Sequence, residues 1–160
     1  MVLWETVILC GIFWLMCWLG TGTDEKNIKS LASYPDAVQQ MVRQDAALKG
    51  MIREKSGAAS FAGNFVTFGV LLFLLGLPAR EEGFSLNFAN ILFIGEVLNL
   101  FDFLVIDMMW WRYSPRIRFS ATKDQPELYQ DMKYHRDSFM KGFVLFILVA
   151  LLDGFLLSLF

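Results

Sequence analysis

Apolar residues in this chain are gathered into four long blocks, and this arrangement constrains the fold more than any other feature of the sequence. The blocks cover residues 2–20, 58–78, 84–111 and 138–160. Each reaches or approaches the roughly 20 residues that an α-helix needs to cross about 30 Å of hydrocarbon. Lipid offers no partners to unpaired backbone groups, so we expect each block to be a helix. The sequence therefore predicts an all-α polytopic membrane protein, a bundle of four transmembrane helices.

The composition of the whole chain supports the prediction of a membrane protein. Apolar residues make up 56% of the 160 residues, whereas soluble domains are about 45–50% apolar even when glycine is counted. No Lys or Arg precedes Lys26, so the first block lacks the basic leading segment of a signal peptide. We expect that block to be a retained span and residues 1–160 to form a single membrane domain.

The distribution of Lys and Arg predicts the orientation. Residues 21–57 and residues 112–137 each contain six of these side chains, whereas the short connection 79–83 contains only Arg80. By the positive-inside rule, the two long connections are cytoplasmic and both termini lie outside. We expect a plasma membrane location, by default the bacterial inner membrane. No run of like charge indicates nucleic-acid binding.

The first long connection has the pattern of short amphipathic helices. Ser33, Pro35 and Asp36 form a helix-start signal, with Ser as the cap, Pro at an early helical position and Asp near the positive end. Val38 and Val42 then follow at helical spacing. Such a segment either lies on the membrane surface or covers the cytoplasmic end of the bundle.

Four polar side chains of the third block fall on one helix face. They are Glu96, Asn99, Asp102 and Asp107. At the helical rotation of about 100° per residue they occupy an arc of about 140°. An ionised carboxylate in hydrocarbon is costly by itself, so these groups must be protonated, paired, or turned towards water or protein. Such acids indicate a functional site, and the alternative is hydrogen bonding that merely joins helices.

Polar residues that could belong to the same site also occur in two other blocks. Asn64 of the second block is near the depth of Asp102 and Asp107, and Asp153 of the fourth block lies towards the outer end. Together with the polar face they predict an intramembrane site for an ion or a substrate. No Lys or Arg lies deep in these blocks, and acids without counter-charges suit protons or cations better than anions.

The exit of the third block carries Arg112, Arg116 and Arg118. Their guanidinium groups would suit a lipid headgroup phosphate or a phosphorylated substrate, with ordinary interfacial anchoring as the alternative. His135 is the single histidine, and its polar neighbours predict an exposed side chain. We therefore predict no metal site, and the sequence specifies no cofactor.

Small residues in the second block predict close helix packing, within one chain or between chains. They recur at seven-residue spacing as Ala62, Gly69 and Gly76. A single bundle of four helices has little interior. We therefore expect a homo-oligomer or association with a partner membrane subunit.

The polar face favours a transport or permeation component that handles a proton, a cation or a small solute. Two alternatives remain open. One is a membrane-embedded enzyme acting on a lipid or isoprenoid substrate at the cytoplasmic interface, with the acids as base or metal ligands. The other is a non-catalytic accessory subunit of a membrane complex. The sequence leaves open whether the protein is an enzyme.

Overall fold

The computed structural model describes residues 2–53 and 56–159. Helices make up 79% of the structure, and no strand occurs in the described ranges. The all-α prediction is therefore confirmed. Lys55, one of the basic residues counted for the orientation, and Phe160, the last residue of the fourth predicted block, lie outside the described residues.

The described residues form six α-helices and several shorter helical segments. The α-helices are α1 (Val2–Leu19), α2 (Asp24–Asn27), α3 (Asp36–Gln44), α4 (Gly57–Gly76), α5 (Phe84–Phe101) and α6 (Lys133–Leu157). A π-helix, Asp102–Trp111, continues directly from α5. The short 3₁₀-helices are Ile28–Ser33, Lys49–Met51, Pro115–Ile117, Ser120–Thr122 and Pro126–Tyr129.

Three helical stretches are long and apolar enough to cross a membrane. They are Val2–Leu19, Gly57–Gly76 and Pro126–Leu157. They correspond to the first, second and fourth predicted blocks, and by length and composition they indicate membrane association. The third predicted block is also helical, as α5 followed by the π-helix, but it is not one of these three.

The chain divides into two compact units. The bundle unit comprises Met1–Gly11, Lys55–Phe101 and Phe139–Phe160. The loop unit comprises Ile12–Glu54 and Asp102–Ser138. The loop unit thus contains most of both connections that the sequence predicts to be cytoplasmic.

In the bundle unit, α4, α5 and α6 pack through apolar side chains. The ring of Phe68 on α4 meets the ring of Phe146 on α6 edge to face, with centroids 5.1 Å apart. Gly76 leaves space for Ile91 and Leu157. Large apolar side chains also cover much of the outer surface of α1, α4 and α6, as expected for a lipid-facing surface.

The loop unit is built around Tyr34, whose side chain is 0% exposed. Its hydroxyl donates a hydrogen bond of 2.9 Å to the carbonyl of Ile117. Its ring contacts those of Trp111 and Phe119 at centroid distances of 5.1 and 4.9 Å. Burial raises the pKa of the Tyr34 phenol, so the group keeps the proton that it donates. Tyr34, a residue of the first connection, thereby packs against and hydrogen-bonds to residues of the second connection.

The amphipathic helix α3 begins at Asp36, where the sequence predicts a helix start. Pro35 occupies the cap position with extended backbone, and no side chain caps the helix, so the predicted Ser33 cap does not form. Val38 and Val42 are buried in the same core as Tyr34. Because its apolar face is used inside the protein, α3 does not present that face to a membrane surface.

Hydrogen bonds join the two connections at further points. The carboxylate of Asp24 accepts hydrogen bonds from the backbone N–H of Ser120, at 3.0 Å, and from its hydroxyl. The amide of Asn27 donates to the carbonyl of Arg116 at 3.3 Å. These contacts join residues 89 to 96 positions apart in the chain, so the connections form a folded structure.

Candidate functional site

The loop unit contains a cavity of about 400 Å³ whose walls are mainly apolar but include several charged side chains. Its walls come from the end of α1, the first connection, the π-helix and the start of α6. The charged and polar side chains that matter for its chemistry are Lys26, Lys29, Ser33, Asp102, Asp107 and His135. Two of the predicted site residues, Asp102 and Asp107, are therefore brought together in one cavity.

The π-helix explains why those two acids share the cavity. A π-helix makes i→i+5 backbone hydrogen bonds, and the N–H of Arg112 donates such a bond to the carbonyl of Asp107 at 3.3 Å. Residues five apart then take neighbouring positions, as residues four apart do in an α-helix. Four residues of the π-helix line the cavity, and they form two pairs at this spacing. Asp102 pairs with Asp107, and Ile106 pairs with Trp111.

Asp107 and His135 form a close pair at the cavity wall. The Nδ1 atom of His135 lies 3.0 Å from Oδ1 of Asp107. Asp102 interacts electrostatically with both side chains. The Nε2 atom of His135 is buried and has no hydrogen-bond partner among the described residues. Most buried polar atoms in proteins are hydrogen-bonded, so a buried imidazole nitrogen without a partner, on a ring oriented by a carboxylate, requires an explanation.

The prediction that His135 is exposed is wrong, because the residue is only 6% exposed. The sequence predicts the fourth block to begin at residue 138, but α6 begins at Lys133. His135 therefore belongs to the first turn of a long helix, and its ring is buried beside Asp107. Its polar neighbours in the sequence carry no signal of that contact.

Two lysines bring positive charge to the same cavity. Lys26 and Lys29 both line it, and the ammonium group of Lys26 also donates to the carbonyl of Leu19 at 2.9 Å. The predicted site contains acids without nearby cations, whereas the observed cavity has charges of both signs. The lysines come from the segment that follows α1. Only residues within the apolar blocks can be compared by depth in the sequence, so this segment was not predicted to lie near the acids.

In the bundle unit, Glu96 and Asn99 form the pair that their spacing predicts. The amide of Asn99 donates to Oε2 of Glu96 at 3.3 Å and to the carbonyl of Phe139 on α6 at 3.2 Å. Gly142 permits this approach, because a Cβ atom there would overlap the amide oxygen of Asn99. Oε1 of Glu96 is buried without a partner among the described residues.

The other two predicted site residues of this unit differ in their surroundings. Asp153 is 1% exposed and lines an apolar groove. Asn64 lies on the outer surface of α4, within a stretch, residues 57–67, in which nearly every residue is exposed. Asn64 therefore faces the surroundings of the bundle unit.

The three arginines have different environments. The guanidinium of Arg112 donates to the amide oxygen of Gln130. Arg116 donates to the carbonyl of Trp18 at 3.1 Å and stacks 4.2 Å from the centre of its ring. The Nε atom of Arg118 is buried without a partner among the described residues. Arg112 and Arg116 thus hold parts of the loop unit together, which leaves them less available for a phosphate.

The described residues contain no group of three or more His, Cys, Asp or Glu side chains that could hold a metal ion. The fold and the cavity define a helical, membrane-associated protein with a cavity, lined in part by charged side chains, beside a π-helix. None of the protein-family models matches the chain, and neither does any curated protein or solved structure.

Proposed function

We propose that this protein is a transport or permeation component, which moves a proton, a cation or a small solute across a membrane and exchanges protons at Asp107 and His135. The observation that carries the proposal is His135, which lines the 400 Å³ cavity, lies 3.0 Å from Asp107 through Nδ1, and has a buried Nε2 atom without a partner among the described residues. Histidine is the side chain that most readily gains and loses a proton near neutral pH.

Charge also supports proton exchange at this cavity. Two carboxylates and one imidazole surround a space large enough for several waters or a small solute. Each added proton would change the balance between these acids and the two lysines. Coupling of this kind lets proton binding alter the affinity for a solute.

The proposed architecture has four crossings, with residues 84–111 as the third. The helical character of residues 84–111, as α5 followed in the chain by the π-helix, supports this count. The two basic connections would be cytoplasmic, both termini would lie outside, and the plasma membrane is the proposed location.

We also propose that the chain works as a homo-oligomer or beside a partner membrane subunit. The support is the exposed half of α4, residues 57–67, which combines small residues with the amide of Asn64. In lipid an exposed amide has no partner, and small residues let a second helix approach closely.

Flux measurements on purified protein in liposomes test the proton-exchange site. With a pH-sensitive dye inside the liposomes, the wild-type protein should carry protons, alone or with a solute. Asp107→Asn and His135→Gln should reduce this flux to the level of empty liposomes, since each removes one member of the exchanging pair. Glu96→Gln should have the same effect if the pair in the bundle unit belongs to the same path.

Asp124→Asn provides the matched control, because Asp124 is exposed and does not line the cavity. It makes the same change of charge and should leave flux intact. Normal flux through both Asp107→Asn and His135→Gln would contradict the proposal, provided that both variants elute like the wild type in size-exclusion chromatography.

A second candidate function is an enzyme that acts on a phosphorylated lipid or isoprenoid. Lys26 and Lys29 favour it, since both could contact a phosphate in the cavity. The carboxylate of Asp107 orients His135 as it would for a general base. Release of phosphate or headgroup from such lipids, lost in Asp107→Asn, would support this function. Turnover that persists in Asp107→Asn would exclude this role for the pair.

A further inference from the structure

The bundle unit has a groove between α4 and α6 with a volume of about 290 Å³. Its walls are almost entirely apolar, and aromatic rings from Phe65 and Phe73 contribute to them. Val66 and Val70 line the groove and are themselves exposed. The groove therefore opens on the outer surface of the unit, where an apolar molecule dissolved in lipid can enter it.

One wall of this groove carries a carboxyl group. Asp153 lines the groove, is 1% exposed, and its Oδ2 atom has no hydrogen-bond partner among the described residues. Most buried polar atoms in proteins are hydrogen-bonded, so an unsatisfied one requires an explanation. A carboxylate in hydrocarbon without a counter-ion is especially costly.

We propose that this groove binds a lipophilic organic cation, a protonated amine with an apolar body, whose ammonium group pairs with Asp153. Oδ2 of Asp153 is covered by protein atoms, so the carboxyl group has to turn towards the ligand on binding. The ammonium N–H then supplies the donor that Oδ2 lacks, and its charge supplies the missing counter-ion. The apolar body fills the space between the two helices. This binding site goes beyond the proposed proton exchange and does not depend on it, because every residue that forms it belongs to the bundle unit.

The chemistry of the walls selects among ligands. An anion would meet the carboxylate and no lysine or arginine, since neither residue lines the groove. A hydrocarbon tail alone would leave Oδ2 unsatisfied. The faces of Phe65 and Phe73 add a favourable interaction for a cation close to an aromatic ring. The groove volume suits a molecule with one aromatic ring and a short chain.

Saturable binding of radiolabelled 2-phenylethylammonium to the purified protein in lipid nanodiscs tests this inference. The uncharged molecule of the same shape, propylbenzene, should compete poorly. Asp153→Asn should weaken binding at least ~tenfold, because a charge pair in a low-dielectric groove contributes more than one at the surface. Asp137→Asn makes the same substitution at an exposed position outside the groove and should bind like the wild type.

A second variant tests the groove without changing its charge. Gly69 lines the groove, and a Cβ atom added there would meet no other atom within 4 Å. Gly69→Val should therefore fold, occupy part of the groove and reduce binding of the amine. The inference is overturned if the wild type shows no saturable binding, or if Asp153→Asn binds equally well. It is also overturned if propylbenzene competes as well as the amine, which would identify an apolar occupant such as a lipid tail.

Discussion

Replacement of Tyr34 by alanine should lower the free energy of unfolding by about 4 kcal/mol, as expected when a fully buried aromatic side chain is truncated. Tyr34 is 0% exposed and its ring contacts those of Trp111 and Phe119. The change would leave a cavity at the centre of the loop unit and remove the donor to the carbonyl of Ile117. Denaturant titration in detergent, followed by tryptophan fluorescence, measures the loss, since Trp111 reports on this core.

Tyr34→Phe separates the ring from the hydroxyl. It keeps the aromatic contacts and removes only the 2.9 Å hydrogen bond to Ile117, at an expected cost of about 1–2 kcal/mol. If Tyr34→Ala were no less stable than Tyr34→Phe, the aromatic cluster would not be the main source of stability in the loop unit.

Gly154→Leu should destabilise the bundle unit by about 3 kcal/mol or more, because it overpacks a close helix contact. A Cβ atom at Gly154 would lie 2.8 Å from both the backbone N and Cα of Phe88. Backbone atoms cannot rotate away as the end of a side chain can, so α5 and α6 would have to separate. The midpoint of thermal unfolding, measured by the loss of the monodisperse peak in size-exclusion chromatography, should fall accordingly.

Gly11→Ala is the control for helix glycine replacement. Gly11 is exposed on α1, and an added Cβ atom meets nothing within 4 Å. Because alanine favours helix by up to about 1 kcal/mol over glycine, this variant should be as stable as the wild type or slightly more so. A Gly154→Leu protein as stable as Gly11→Ala would mean that α5 and α6 are not in close contact.

The bounds of two apolar helices and the start of α3 follow closely from the sequence. The first two predicted blocks, residues 2–20 and 58–78, match α1 and α4 to within two residues at each end. Their boundaries were predictable because the length of an apolar run is itself the signal for a membrane helix. The start of α3 after Pro35 was predictable for another local reason, the restricted backbone of proline.

The cavity beside the π-helix was only partly predictable. Asp102 and Asp107 stood out as acids in an apolar block, which is a strong signal in any sequence. Their common position depends on the π-helix, however, and rotation at 100° per residue separates them by about 140°. His135 lies 28 positions from Asp107, and no periodicity connects them.

Sequence by itself determined which segments are helical and apolar, where short amphipathic helices begin, and which acids lie inside apolar blocks. These properties depend on neighbouring residues and on the length of a run, so they can be read along the chain. Tertiary structure alone decided that the two connections fold around Tyr34, that His135 meets Asp107, and that Lys26 joins them at one cavity. Those contacts depend on long-range packing and on a local change of helix type, and neither leaves a pattern in the order of the residues.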